Sequence, residues 1–371
     1  MKKVNVGIIG CGKVAHLHAA ALNRLPEANF TAVTDRIPER TQAFAERYRV
    51  KAYSDIQDMV SAAGIEAVIV CTPHPVHAES TIQAAQAGIQ VLIEKPMASS
   101  LADCDAMLNA ANDAGVKLGV VSQRRLYEPV QRVKQAIDAG KIGQPILGTV
   151  TMLGWRDEAY YTSDAWRGTW KGEGGGVLVN QAPHQLDLLQ WFMGPIDELF
   201  GWWGNLNHPY IEVEDTTTAV IRFKNGALGS IVVSNSQKPG IYGKVQVHGK
   251  NGASVGVQTD GGAMFIAGMS EIAEPPVNDL WSVPGEEEML EKWQAEDSAF
   301  FNSINATEYY HQLQVQDFLQ SIIEGRDPMI TGEEGRKTVE IFTAIYRSQR
   351  TNKPVKFPLK PEATDNGRDL P

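Results

Sequence analysis

The chain has 371 residues, 43% hydrophobic and 21% charged, with a formal net charge of -10, the balance of a globular protein of about two domains. The acidic excess argues against nucleic acid or an anionic membrane surface as a partner, because phosphate binding needs a basic face, and no apolar run approaches a membrane span. Cys11, Cys71 and Cys104 have neither disulfide nor metal spacing and the N-terminus shows no signal-like segment, so a reducing, cytoplasmic setting without a metal site is expected.

Val4–Ile9 reads as a strand, followed by Gly10-Cys11-Gly12 and a helix from Val14 to Arg24. A strand over Phe30–Thr34 ends at Asp35. Helices are expected at Pro38–Tyr48 and Asp55–Ala63, then a strand at Ala67–Val70, a helix at Val76–Ala87, and a strand at Val91–Ile93 that runs into Glu94-Lys95-Pro96. A helix at Leu101–Ala114 and a strand at Leu118–Val121 complete the series. Apolar strands alternating with helices call for a doubly wound parallel sheet, covered on both faces, over residues 1–123. The pattern changes beyond that point. After a helix at Pro129–Ala139 come strand-like segments at Ile146–Leu153, Glu198–Trp203, Thr216–Phe223, Ala227–Val233 and Lys244–His248. Asn225-Gly226 marks a hairpin between two of them, so residues 124–358 predict an α+β domain with antiparallel pairing. Residues 256–305 read as strands plus a long loop, helices return at His311–Glu324 and Glu333–Arg350, and the polar tail 359–371 is expected to fray.

Four stretches carry chemistry. Gly10-Cys-Gly12-Lys13-Val14-Ala15 sits between the first strand and helix and fits the G-x-G-x-x-A dinucleotide turn. Gly10 allows the tight turn, Gly12 lets backbone approach a pyrophosphate, and Ala15 lets helix and strand pack closely. Asp35 suits the adenosine ribose hydroxyls and repels a 2′-phosphate, which favours NAD; Arg36 beside it keeps NADP admissible. Thr72-Pro73…His77 and Glu94-Lys95-Pro96 follow strand ends, the edge of a parallel sheet that faces a ligand. The fourth stretch is Gly172–Asp187, where glycines lead to Asn180, His184 and Asp187. Pro183 suits the first position of a helix that Gly194 and Pro195 end. His184 then lies in a first turn, where the macrodipole opposes positive charge and favours a proton-accepting ring. His184 and Asp187 share a face; Asn180 precedes the helix, so its spacing alone does not bring it to His184.

Taken in order, G-x-G-x-x-A, Thr72-Pro73…His77, Glu94-Lys95-Pro96 and Gly174-Gly-Gly…His184-x-x-Asp187 resemble the Gfo/Idh/MocA family of sugar and inositol oxidoreductases over roughly residues 3–358. The resemblance implies an N-terminal Rossmann domain and a C-terminal domain with a large open, mainly antiparallel sheet that forms homodimer or homotetramer contacts. It implies Lys95 and His184 as the catalytic pair, with roles that could be exchanged. Trp166 and Arg167 would lie near the nicotinamide, as would Gln123. Asn180, Asp187, Tyr161 and Arg124 would meet substrate. Many relatives carry aspartate where this chain has Asn180, and Asn-Gln versions resemble enzymes acting on nucleotide sugars. The implied activity is NAD-dependent hydride exchange at a ring hydroxyl of a pyranoside, sugar conjugate or free sugar, with C3 in view. Alternatives are a redox-neutral NAD-dependent glycosidase, an inositol dehydrogenase and a non-catalytic NAD-sensing regulator.

Overall fold

The computed structural model describes residues 2–262, 265–266 and 270–366. The chain forms two compact units. The first takes residues up to Gln123 and, late in the chain, Ala306–Arg336; the second takes Arg124–Ile266, Glu271–Asn305 and the residues from Lys337 onward.

The first unit alternates β1 (Val4–Ile9), α1 (Ala15–Arg24), β2 (Ala28–Thr34), α2 (Pro38–Tyr48), β3 (Lys51–Tyr53), α3 (Ile56–Ala63), β4 (Ala67–Val70), α4 (His77–Gln86), β5 (Gln90–Ile93), α5 (Leu101–Ala114) and β6 (Leu118–Val120). The strands form one six-stranded sheet in the order β3-β2-β1-β4-β5-β6, with every pairing parallel. This is the doubly wound Rossmann arrangement, with a change of direction beside β1. All four residues of β4 are buried, as a sheet covered on both faces requires. Local chemistry sets the helix ends. Asp55 and Ser100 accept the backbone N–H of Asp58 and Asp103 at 2.8 and 3.1 Å, caps worth about 1 kcal/mol each. β3 was not anticipated: three partly exposed residues at a sheet edge carry no periodic signal.

The second unit opens with α6 (Glu128–Asp138), β7 (Pro145–Leu153), the short α7 (Glu158–Thr162) and α8 (Val177–Asn180), and α9 (Pro183–Met193). β8 (Ile196–Gly204), β9 (Thr216–Phe223), β10 (Leu228–Ser234), β11 (Tyr242–Gly249), β12 (Ser254–Asp260), β13 (Val277–Trp281) and α10 (Met289–Ser303) follow. Pro183 stands at the first turn of α9, and Gly194 ends it at φ +85. Leu186, Leu188 and Leu189 of that helix are fully buried, each worth about 1.5–3 kcal/mol. The hairpin at Asn225-Gly226 joins β9 to β10 in antiparallel register. β9 alternates buried and exposed residues, so one sheet face packs inward while the other presents Val220, Leu228 and Trp202, each more than half exposed.

The third part of the chain is α11 (Ala306–Glu324), α12 (Gly332–Thr351) and β14 (Val355–Lys356). β14 closes an eight-stranded sheet, β13-β12-β11-β7-β10-β9-β8-β14, whose pairings are antiparallel except β7 with β10. α11 belongs to the first unit, where Val315, Phe318 and Leu319 join the core formed by Ala15, Ala19 and Leu22 of α1.

Two expectations change. The 256–305 region contains the fifteen-residue α10, hidden because only Asp297 and Phe301 of that helix are buried. The acidic run Glu286–Glu288 leads into its N-terminus, where carboxylates favour the dipole. Trp293 packs edge-on against Trp281, and Arg132 pairs with Asp297 at 2.9 and 3.0 Å. The tail after Pro358 is held rather than frayed as far as residue 366. Leu359 is buried and donates its N–H to the Glu340 carboxylate, and the Arg347 fork grips Asp365 through two 2.6 Å bonds; residues 367–371 lie outside the described residues. Among the described residues no helix is long and apolar enough to cross a membrane.

Candidate active site

The turn after β1 has the shape a dinucleotide needs. Gly10 takes φ +94, and a Cβ there would lie 2.8–2.9 Å from the backbone of Cys71 and Thr72; only glycine fits. A Cβ at Gly12 would meet nothing within 4 Å, so open space faces that backbone. Lys13 and Val14 lead into α1, whose start has no side-chain cap and no acidic residue in its first turn. Such an uncapped helix start suits an anion. Asp35 follows β2. Its carboxylate accepts the N–H of Cys11 at 2.7 Å and of Ile37 at 2.9 Å, and a carboxylate with about four acceptor sites retains capacity for hydroxyls. Arg36 is exposed beside it. These residues fit NAD, whose pyrophosphate the start of α1 would hold and whose adenosine ribose Asp35 would hold.

At the next strand ends two side chains are held by partners within the protein. His77, expected at the cofactor, is fully buried. One ring nitrogen lies 2.8 Å from the Thr72 carbonyl oxygen, and the other lies 3.1 and 3.2 Å from those of Pro96 and Met97. It ties the Thr72-Pro73 loop to the Lys95-Pro96 loop, although burial pushes the ring below the ordinary histidine range. Glu94, also expected at the cofactor, is turned inward. Its Oε1 accepts from His18 Nε2 at 2.7 Å and its Oε2 from the Lys95 N–H at 3.0 Å. Burial works against the Glu94 charge. The His18 hydrogen bond and the charges of His18, His311 and Lys95 outweigh it and hold the group down to about 2. Lys95 is partly buried at the carboxyl end of β5. Gln123 is buried, with Nε2 3.5 Å from His311 Nε2.

In the second unit the glycine run is tied at both ends. Glu173, buried at 1% exposure, accepts the Gly168 N–H at 2.6 Å and the Asn180 side-chain amide. The Tyr160 hydroxyl oxygen accepts from Asn180 at 3.0 Å, Gln181 at 2.8 Å and Arg167 at 2.5 Å. Burial, reinforced by Glu173, pushes the Tyr160 phenol up to about 12. Arg167 therefore points to Tyr160, and its guanidinium stacks over the Tyr160 and Trp166 rings at 4.3 and 4.5 Å. Tyr161 is buried, and its hydroxyl accepts from Asn235 at 3.3 Å. Asp187 is taken by Arg125 in a buried two-pronged pair at 2.8 and 2.6 Å. The Arg124 fork is likewise filled by Asp260, with one bond at 2.6 Å and a second to the other carboxylate oxygen. His184 lies buried in the first turn of α9, as its spacing from Pro183 implies.

Several of these partners escaped the sequence reading. Glu173 stood inside the glycine stretch and Arg125 beside Arg124, but nothing local marked either. Glu214 was hidden more deeply. It is fully buried between β8 and β9, and its carboxylate accepts the N–H of Gly176 at 2.9 Å and of Leu178 at 3.0 Å, capping α8 from far along the chain. A Cβ on Gly176 would lie 1.9 Å from the Glu214 carbonyl oxygen, which fixes glycine there. Burial raises Glu214 to about 7, against the pull of the two N–H donors, with Tyr346 of α12 beside it. A carboxyl raised in the fold keeps its proton longer than in the unfolded chain. The resulting stability is present below the ordinary value of 4.5 and drains away as pH rises to about 7, a span on the order of 3 kcal/mol. Glu214→Gln should flatten that part of the pH dependence. Urea denaturation of both proteins at pH about 5 and about 8 measures it, and parallel slopes would remove Glu214 as the cause.

Sheet order, the glycine turn and the strand-end residues define an NAD-binding Rossmann unit joined to a second unit with a large, mainly antiparallel sheet. The comparisons agree. The family described as "Oxidoreductase family, NAD-binding Rossmann fold" matches residues 4–122, and the GFO/IDH/MocA C-terminal domain matches residues 130–255. The chain belongs to the Gfo/Idh/MocA family of oxidoreductases. It is 27% identical over 362 residues to the myo-inositol 2-dehydrogenase of Thermotoga maritima, covering 95% of this chain and 98% of that one. It is 30% identical over 261 residues to the oxidoreductase YrbE of Bacillus subtilis, covering 68% and 73%. Among solved structures it is similar to the WlbA dehydrogenase of Bordetella pertussis in complex with NADH and UDP-GlcNAcA, with TM-score 0.85, 30% identity, and coverage of 97% and 99%.

Proposed function

We propose that this protein is an NAD-dependent dehydrogenase acting at a ring secondary hydroxyl, C3 being the position favoured, of a nucleotide sugar or similar sugar conjugate. The observation that supports it most is the likeness, over nearly the whole chain, to a dehydrogenase crystallised with NADH and UDP-GlcNAcA, together with a neutral Asn180 in a chain that keeps both Lys95 and His184. When bound, NAD supplies the hydride acceptor. The chain's own residues do the rest. Lys95 donates to the reacting oxygen and stabilises the charge that develops on it. His184 takes the hydroxyl proton on a ring nitrogen, helped by its place in a helix's first turn. Glu173, Tyr160 and Gln181 fix Asn180 and the glycine run ahead of α9.

A second reading, inositol oxidation, is favoured by the 27% likeness to a myo-inositol 2-dehydrogenase. Purified enzyme screened with NAD and NADP against UDP-sugars and their uronic acids, free sugars and inositols separates the two. Net NADH formation with a nucleotide sugar at the highest kcat/KM is expected; preference for an inositol would move the assignment there, and no turnover across the panel would overturn both. The exposed apolar residues of the outer sheet face (Val220, Leu228 and Trp202) support a homodimer or homotetramer formed through that face.

A further inference from the structure

Beneath Lys95 lies a cluster of titratable groups drawn from distant parts of the first unit. His18 of α1 is 0% exposed. Its Nε2 donates to Glu94 Oε1 at 2.7 Å, and the other carboxylate oxygen accepts the backbone N–H of Lys95 at 3.0 Å. The His18 ring meets His311 of α11 edge-on at 5.6 Å. His311 Nδ1 donates to the Thr307 carbonyl at 2.7 Å, which leaves Nε2 as the acceptor facing Gln123. Burial, with the charge of His18 next, pushes His311 down to about 4. His77 of α4 and Cys71 after β4 also sit in the field of Glu94.

We propose that His18 is a positioning residue for Lys95, acting through Glu94: the buried imidazole keeps Glu94 ionised and directed at Lys95, so that Lys95 stays an ammonium and works as a donor rather than a base. The proposal rests on the reading of Lys95 as the residue at the reacting oxygen. Its physical basis is the cost of burial. A carboxylate taken out of water without donors gives up its charge. Glu94 is 6% exposed, and its two described donors are His18 and the Lys95 N–H. With the His18 donor removed, Glu94 becomes a neutral acid and the charge opposite Lys95 disappears. With it present, the cluster holds a fixed negative charge one residue from the ammonium, and proton uptake is left to His184.

The test reads Lys95 directly in the full-length protein. Trace acetylation across a pH series, followed peptide by peptide by mass spectrometry, reports the deprotonated fraction of each lysine. His18→Ala and Glu94→Gln should each raise the reactive fraction of Lys95 about tenfold at a given pH, which is one unit of titration. His18→Gln, which keeps an N–H for Glu94, should restore most of the wild-type profile. NAD binding, followed by fluorescence, reports whether each variant is folded. An unmoved Lys95 profile in a folded His18→Ala or Glu94→Gln protein would overturn the proposal. Turnover that survives Lys95→Met while the profile still responds to His18 would instead sink the assignment of Lys95 and leave the coupling standing.

Discussion

Lys95→Ala and His184→Ala should each lower kcat by about 10²–10⁴-fold while NAD affinity stays close to wild type. The two losses have different causes and should differ with pH. Lys95 follows Glu94 at the end of β5, held by a backbone bond to that carboxylate, so its removal takes away a fixed donor. His184 sits in the first turn of α9, behind Pro183 and ahead of three fully buried leucines. Its removal deletes a proton acceptor without loosening the helix that carries it. The acidic limb of the kcat profile should vanish with His184 and persist with the Lys95 variant. Steady-state kinetics on the best substrate of the panel settles this, and near-normal turnover in both variants would dismiss the assignment.

Asp187→Ala should cost about 3–5 kcal/mol of stability, because it takes the two-pronged carboxylate away from a buried arginine. Arg125 and Asp187 are both nine-tenths buried or more, joined by bonds of 2.8 and 2.6 Å, with the guanidinium 4.9 Å over the Trp191 ring. Neither group can recover water without moving α9. The double replacement Arg125→Met with Asp187→Leu should be far less harmful than the single change, since it removes the buried charge along with its partner. Urea denaturation of the three proteins gives the comparison. A single variant within about 1 kcal/mol of wild type would mean that Asp187 is not needed to hold Arg125 and is free for the substrate role its spacing first suggested.

Much of the fold was legible because its signals are local. Gly10 and Gly12 at a strand-to-helix turn, Pro183 and Gly194 bracketing a helix, and Asn225-Gly226 between alternating strands each act within a few residues, and each lies where its chemistry requires. The partners of the candidate site residues were not legible. His18 reaches Glu94 across 76 positions, Arg125 reaches Asp187 across 62, and Glu214 reaches Leu178 across 36. Periodicity and turn chemistry carry no information about such pairs; only the folded chain brings them together. The same holds for Glu94 and His77, whose positions after strands suggest cofactor contacts and say nothing of the bonds they make to His18 and to the Thr72, Pro96 and Met97 carbonyls.

The late return of the chain into the first unit bears on how the protein is made. Val315, Phe318 and Leu319 of α11 pack against Ala15, Ala19 and Leu22 of α1, and Arg24 is paired with Glu308 at 2.5 Å. The ribosome therefore finishes the strands of the nucleotide-binding sheet long before it delivers the helix that covers α1. During that interval the nascent chain shows an apolar flank with no cover, the kind of surface chaperones bind. Folding of this unit has to wait for α11 to be translated, and a stop codon placed before α11 should yield an aggregating fragment rather than a separable nucleotide-binding module.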